Sequence, residues 1–274
     1  MSGDDGQREI TVDNPWQRLR ELTDARIGLG RVGGSLPTAA QLAFQMDHAR
    51  ARDAVHMALD TERLMPELDE RFALALRLHS QAADRSEYLR RPDLGRRLSE
   101  ASRQELARLP AGSCDVSICV VDGLSARAIH EQAIPFLDAA LPEIERLGLS
   151  PGPVALVEQG RVAIGDPIGE ALGARMSVVL IGERPGLSSP DSLGLYFTWA
   201  PRAGRRDSER NCISNIRPRG LSYANAARLL AYLMRQAQAL GASGVVLKDD
   251  SEVDSRLGDG RTGNFLLPPV TGAP

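Results

Sequence analysis

Five polar residues stand where apolar runs stop: Asp122 and Ser125 after one run, Glu183 after the next, then Cys212 and Asn215. Carboxylates, a hydroxyl, a thiol and an amide at strand ends can hold a guest through acceptors and donors. They do not by themselves make a reaction centre. A chain that catalyses alone needs a nucleophile beside its base, paired carboxylates, a metal or a cofactor loop, and none stands at a convincing spacing. GxSxG, HExxH and a Walker loop are absent. Cys114, Cys119 and Cys212 make neither a CxxC pair nor an even disulfide set, and four histidines offer no zinc spacing. No catalytic residue and no metal site is therefore assigned. His48 and His56 are eight apart rather than four, which suits a polar helix face. Gly28 to Gly33 spells GxGxxG, yet no buried strand precedes it, and Pro37 separates it from the next helix. It reads as a loop rather than a dinucleotide cradle.

The elements that position these groups follow from periodicity. The 274 residues can hold one large or two modest domains. No apolar run reaches the ~20 residues of a membrane span, and no basic-then-apolar leader opens the chain, so a soluble cytoplasmic protein is expected. A net charge of -3 and few aromatics argue against a nucleic-acid binder. Lys248 is the only lysine. Arg in its place suits bidentate contacts, although coding bias gives the same composition.

Residues 1–110 read as a helical region. Asn14-Pro15 caps a helix from Trp16 to about Ala25, Thr38 opens one to Leu59, and Phe72 to Leu78 is an apolar segment. The basic turn from Tyr88 to Arg97 can clamp an anion or stand as a solvated loop. Near Pro110 the pattern changes to alternating strand and helix, defining a second region, 111–249. Strands are expected at 115–122, 154–157, 161–164, 176–182, 193–199 and 243–248, and a cysteine-bearing turn at 210–215. Pro135 is expected to restart its helix, and Ser222 to cap one ending at Gly241. Residues 250–274, rich in Asp, Ser, Arg, Gly and Pro, read as a flexible tail that folding does not need.

Seven blocks in order carry a resemblance to a known family. They are Asn14-Pro15; Asp47-His48; Tyr88-Leu89 with Arg91-Pro92-Asp93 and Gly95-Arg96-Arg97; Asp122-Gly123-Leu124-Ser125; Gly160-Arg161-Val162; Gly182-Glu183-Arg184-Pro185-Gly186-Leu187; and Cys212-Ile213-Ser214-Asn215-Ile216. From about Asn14 to Val246 the chain resembles the small subunit, or light chain, of ethanolamine ammonia-lyase. The resemblance implies an α/β fold with a helical N-terminal region and a Rossmann-like C-terminal domain. It also implies a hetero-oligomeric carbon–nitrogen lyase that turns ethanolamine into acetaldehyde and ammonia with adenosylcobalamin.

In that family a large subunit, a (β/α)8 barrel, binds ethanolamine, while the small subunit helps enclose the cobalamin. The matching cofactor-binding positions are Val162, Glu183 and Cys212. Glu183 would accept from corrin amides, and Val162 and Cys212 would give apolar or weakly polar contact. Two alternatives stay open: Glu183 pairs with Arg184 or another Arg, and Cys212 is a small buried hydrophobe. No histidine stands in a DxHxxG pattern, so the cobalamin is expected to keep its own base. The family's place is the cytoplasm, with a bacterial microcompartment left open. The alternative outside the family is a free-standing nicotinamide-binding α/β protein, which would use Gly28 to Gly33 as its phosphate loop.

Overall fold

The computed structural model describes residues 12, 14–110, 112 and 114–249. In chain order its α-helices and strands are α1 (Thr38–His56), α2 (Thr61–Asp69), β1 (Ala75–His79), α3 (Arg85–Arg90), α4 (Glu100–Leu106), β2 (Val116–Val121), α5 (Ala126–Arg146), β3 (Pro151–Glu158), α6 (Gly165–Ala171), β4 (Met176–Gly182), β5 (Leu193–Trp199), β6 (Arg210–Ile216) and α7 (Tyr223–Leu240). The expected tail after Asp249 lies outside the described residues.

Six strands form one mixed sheet in the order β1-β3-β2-β4-β5-β6. The first four run parallel, and β5 and β6 are antiparallel to their neighbours. This α/β architecture agrees with the sequence reading. β2 and β4 are buried at every position, as their largely apolar, β-branched-rich runs demand when both faces are covered. Alternate residues feed two cores. Val116, Ile118 and Val120 pack with α2, α5 and α7, whereas Cys119 and Val121 pack with α4 and α6. The β2–α5–β3 and β3–α6–β4 crossovers therefore lie on opposite faces. Their divergence leaves a crevice at the carboxyl ends of β2 and β3, the place where open α/β sheets bind ligands.

Several expectations are corrected. Arg210–Ile216 is a strand rather than a turn, because β5 offers it an antiparallel ladder, with one register shift between Leu193 and Leu195. Residues 161–164 form a 3-10 turn, Val162–Ile164, whose apolar side chains hook into the second core instead of pairing. Residues 243–248 also form a 3-10 turn, with Val245 and Val246 exposed. There the Asn211 side chain donates to Gly244 and Leu247 and accepts the Gly244 N–H, satisfying the backbone groups that a pairing strand would use. Pro135 lies inside a continuous α5, held by burial of Ile134, Phe136 and Leu137 on either side. Asn14 does cap the first helix, accepting from Trp16 at 3.0 Å, but the helix is 3-10 and ends at Glu21. α1 stops at His56, short of Leu59. β1, from the region read as helical, is an edge strand of the sheet. Gly28, Gly30 and Gly33 all take positive φ in a loop, and α1 opens four residues after Gly34, so no helix starts on these glycines.

Candidate functional site

The end of β4 can approach the β2–α5 turn only because residue 182 is glycine. A Cβ there would sit 2.0 Å from the Ser125 carbonyl oxygen and 2.6 Å from that of Asp122. The Leu124 N–H donates to the Gly182 oxygen at 2.8 Å, so this contact is a hydrogen-bonded seam. Glu183 then leaves the sheet with its direction fixed. Its carboxylate accepts from Ser192, from Ser214 and from the Asn215 N–H, the last at 3.2 Å. Three donors occupy three of the about four lone-pair positions of a carboxylate. Among the described residues no arginine lies within ion-pair distance of Glu183.

The β3 end is held from below. Asp122, 2% exposed, accepts the N–H groups of Gln159 at 2.9 Å and Gly160 at 3.1 Å. Gln159 sits at φ 55°, a conformation costly for a side-chain-bearing residue, and this pair of bonds offsets the cost. Burial pushes the Asp122 carboxyl up to about 6, against the pull of those N–H groups and of Arg85 at 3.6 Å. From the side, the Tyr88 hydroxyl donates to the Gly160 oxygen, and the guanidiniums of Arg161 and Arg85 lie 4.1 and 4.7 Å from the Tyr88 ring. Burial drives the Tyr88 phenol far above its ordinary value. The turn that presents Val162 is thus clamped by groups from α3, β2 and β3.

A cleft of about 620 Å³ opens between these two strand ends. Val162 and Glu183 both line it, with Tyr88, Arg161, Leu124 and Tyr196 among the other walls. Cys212 is absent from the lining but is the cross-strand partner of Tyr196, so the two share one sheet face. Burial pushes the Tyr196 hydroxyl up to about 12, with Cys212 and Glu183 adding to it. Burial also raises the Cys212 thiol. Cys212 is an exposed, free cysteine on β6 in this single chain, not a core residue. Ser125 caps α5 and also donates to the Pro190 oxygen at 2.7 Å, so it fastens the loop after Glu183 rather than facing the cleft.

Sequence reasoning missed Arg85 and Tyr196, and saw Tyr88 and Arg161 only as members of motif blocks. The Arg–Tyr–Arg stack joins α3 to the turn after β3, and no local pattern signals a contact over that separation. Chemically the cleft offers carboxylate acceptors, a cationic stack and apolar walls. Such a cleft can hold a guest, and among the described residues around it there is no nucleophile–base pair.

Comparison with known proteins places these features in a lineage. The family described as ethanolamine ammonia-lyase light chain (EutC) matches residues 13–248. An ethanolamine ammonia-lyase small subunit of Pseudomonas putida is 57% identical over 263 residues, covering 94% of this chain and 97% of the relative. One from Pseudomonas paraeruginosa is 58% identical over 263 residues, covering 94% and 96%. One from Azotobacter vinelandii is 57% identical over 264 residues, covering 95% and 98%. With nearly the whole length matched and the cleft residues inside that span, this chain belongs to the ethanolamine ammonia-lyase small-subunit family.

Proposed function

We propose that this chain is the small subunit of an adenosylcobalamin-dependent ethanolamine ammonia-lyase, and that its cleft forms one wall of the cobalamin site while a large subunit binds ethanolamine. Residues 111–249 then carry most of its Rossmann-like sheet, a reading supported by the two opposed crossovers around β2, and the preceding region lends that sheet its edge strand β1. The observation that carries the proposal is the meeting of Val162 and Glu183 on one cleft, with Cys212 behind Tyr196 on the same sheet face.

The donor set fits the cofactor. A corrin is edged with amide side chains, which need acceptors; Glu183 retains acceptor capacity beyond its three protein donors. Half-buried Val162 supplies an apolar wall, and Tyr196 a surface against which a flat ring can lie. When bound, adenosylcobalamin supplies the carbon-centred radical for removing ammonia. This chain's residues bind and orient, and they exclude water from one side of a cavity that must stay dry. The opposite side has to come from the large subunit.

Mixing separately purified subunits with adenosylcobalamin and assaying acetaldehyde and ammonia tests the proposal. Product should appear only when both chains and the cofactor are present. Turnover by the small chain alone, or full activity from the large chain without it, would overturn it.

A further inference from the structure

α1 is poorly packed for its length. Its 19 residues bury only Ala51 and Ala54, whereas a helix in a finished assembly lays a broad apolar stripe against a neighbour. Leu42 and Met46, one turn apart on the same side, are 58% and 56% exposed. Trp16, Leu22 and Leu36 are also exposed. Nine of the thirteen large hydrophobics left exposed among the described residues fall within residues 12–57. So high a share of exposed apolar side chains in one segment marks that segment as a contact surface. A groove of about 1270 Å³ runs between the 3-10 helix Pro15–Glu21 and α1, and its far wall is Leu187, Ser188 and Pro190.

That far wall identifies the occupant. Leu187 to Pro190 belong to the same loop as Glu183 and Arg184, which line the cleft at the end of β4. A partner that closes the cleft covers this loop, and its footprint then reaches the groove. Arg217 ties the two places together. Its buried guanidinium lies 3.4 Å from the Ser188 oxygen, 3.7 Å from Asp191 and 4.0 Å from Asp24 beside the groove. Its Nε donates to the Asn215 side chain, and the Asn215 N–H in turn holds Glu183. At ~1.5 Å per residue α1 is ~28 Å long, enough to span an interface of about 800 Å² per partner.

We infer that residues 14–57, α1 above all, form the surface on which the large subunit docks. This rests on the reading of the chain as the small subunit. The double variant Leu42→Asp/Met46→Asp, in the full chain, is compared with wild type for binding to purified large subunit by sedimentation. Val245→Asp, exposed on the 3-10 turn Gly244–Val246, serves as the control. The double variant should bind at least tenfold more weakly, the control like wild type, and both should melt at the wild-type temperature. Should the double variant fold poorly, Leu42→Ala/Met46→Ala provides the same comparison with a smaller loss. Wild-type-like binding by the α1 variants would overturn the inference. So would a change in the mass of the isolated chain from dimer to monomer with large-subunit binding intact, which would make a second copy the occupant. If wild type itself fails to bind the large subunit, the small-subunit reading falls, and this surface with it.

Discussion

Asn215 donates its backbone N–H to Glu183 from a left-handed conformation at φ 60°, and so fastens the end of antiparallel β6 to the end of β4. The bond crosses β5, which lies between the two strands in the sheet. Glu183 is therefore held by the sheet's own return.

With the cleft as the proposed cobalamin wall, Glu183→Ala should weaken cobalamin binding to the assembled enzyme by about 1–3 kcal/mol, because donors on the cofactor and on Ser192, Ser214 and Asn215 would lose their acceptor together. Equilibrium titration of the cofactor reads this directly. Unchanged affinity together with a lower melting temperature would assign Glu183 to the fold alone.

Asp122 should leave a mark on the pH dependence of stability. Its carboxyl titrates near 6 in the folded chain, raised by burial from the ordinary 3.8. Between those values the folded state holds a proton that the unfolded state has lost. Its contribution is complete below about 3.8 and is lost as pH rises through about 6, at no more than about 1.4 kcal/mol per pH unit. Urea titrations of wild type and Asp122→Asn from pH 4 to 7 should show wild type losing stability relative to the variant as pH rises. A constant gap would mean that the carboxyl keeps an ordinary pKa.

Asp166 and Arg210 form a bidentate ion pair at 2.6 Å with both side chains 2% exposed. Among the described residues, Asp166→Asn leaves the buried guanidinium only the exposed Asp207 at 3.5 Å as a counter-charge and should cost about 3–5 kcal/mol in chemical denaturation. Replacing both partners by apolar residues of similar volume should recover most of that loss. A single variant as stable as wild type would show that water reaches the pair.

Gly182→Ala forces a methyl group into the Ser125 and Asp122 carbonyl oxygens. Separating the β2 and β4 ends should lower stability by about 1–3 kcal/mol, an overpacking cost, and should displace Glu183. The melting temperature and the cofactor affinity should fall together. If affinity survives the drop in stability, the seam does not set the position of Glu183.

Much of the frame was legible because local and tertiary forces agree in it. Met176–Gly182 and Leu193–Trp199 are strands to the residue, and Ser222 and Gly241 bound α7 as their capping chemistry requires, with Gly241 at φ 65°. The misreadings fall where the two forces disagree. Arg210–Ile216 is too polar to announce a strand, and only the neighbouring β5 makes it one. Val162 and Ile164 alternate like a strand but lie beyond the crevice, where packing into the core is available and a partner strand is not. Glu183 was legible from its place at a strand end as well as from the short blocks and Val162 from the blocks alone, whereas the clamp of Arg85, Tyr88 and Arg161 needed coordinates.

β1 lies on the edge of the sheet, and among the described residues its partner strand is β3, which begins at Pro151. On a ribosome adding about 5–20 residues per second, β1 emerges roughly 4–15 s before the strand that completes it. Throughout that interval an unpaired edge and the apolar residues of the preceding segment stand open together. The hazard of this architecture is thus one of timing, and slower translation past β1 should cost more soluble chain than slower translation past β4, whose partner β2 has already been made.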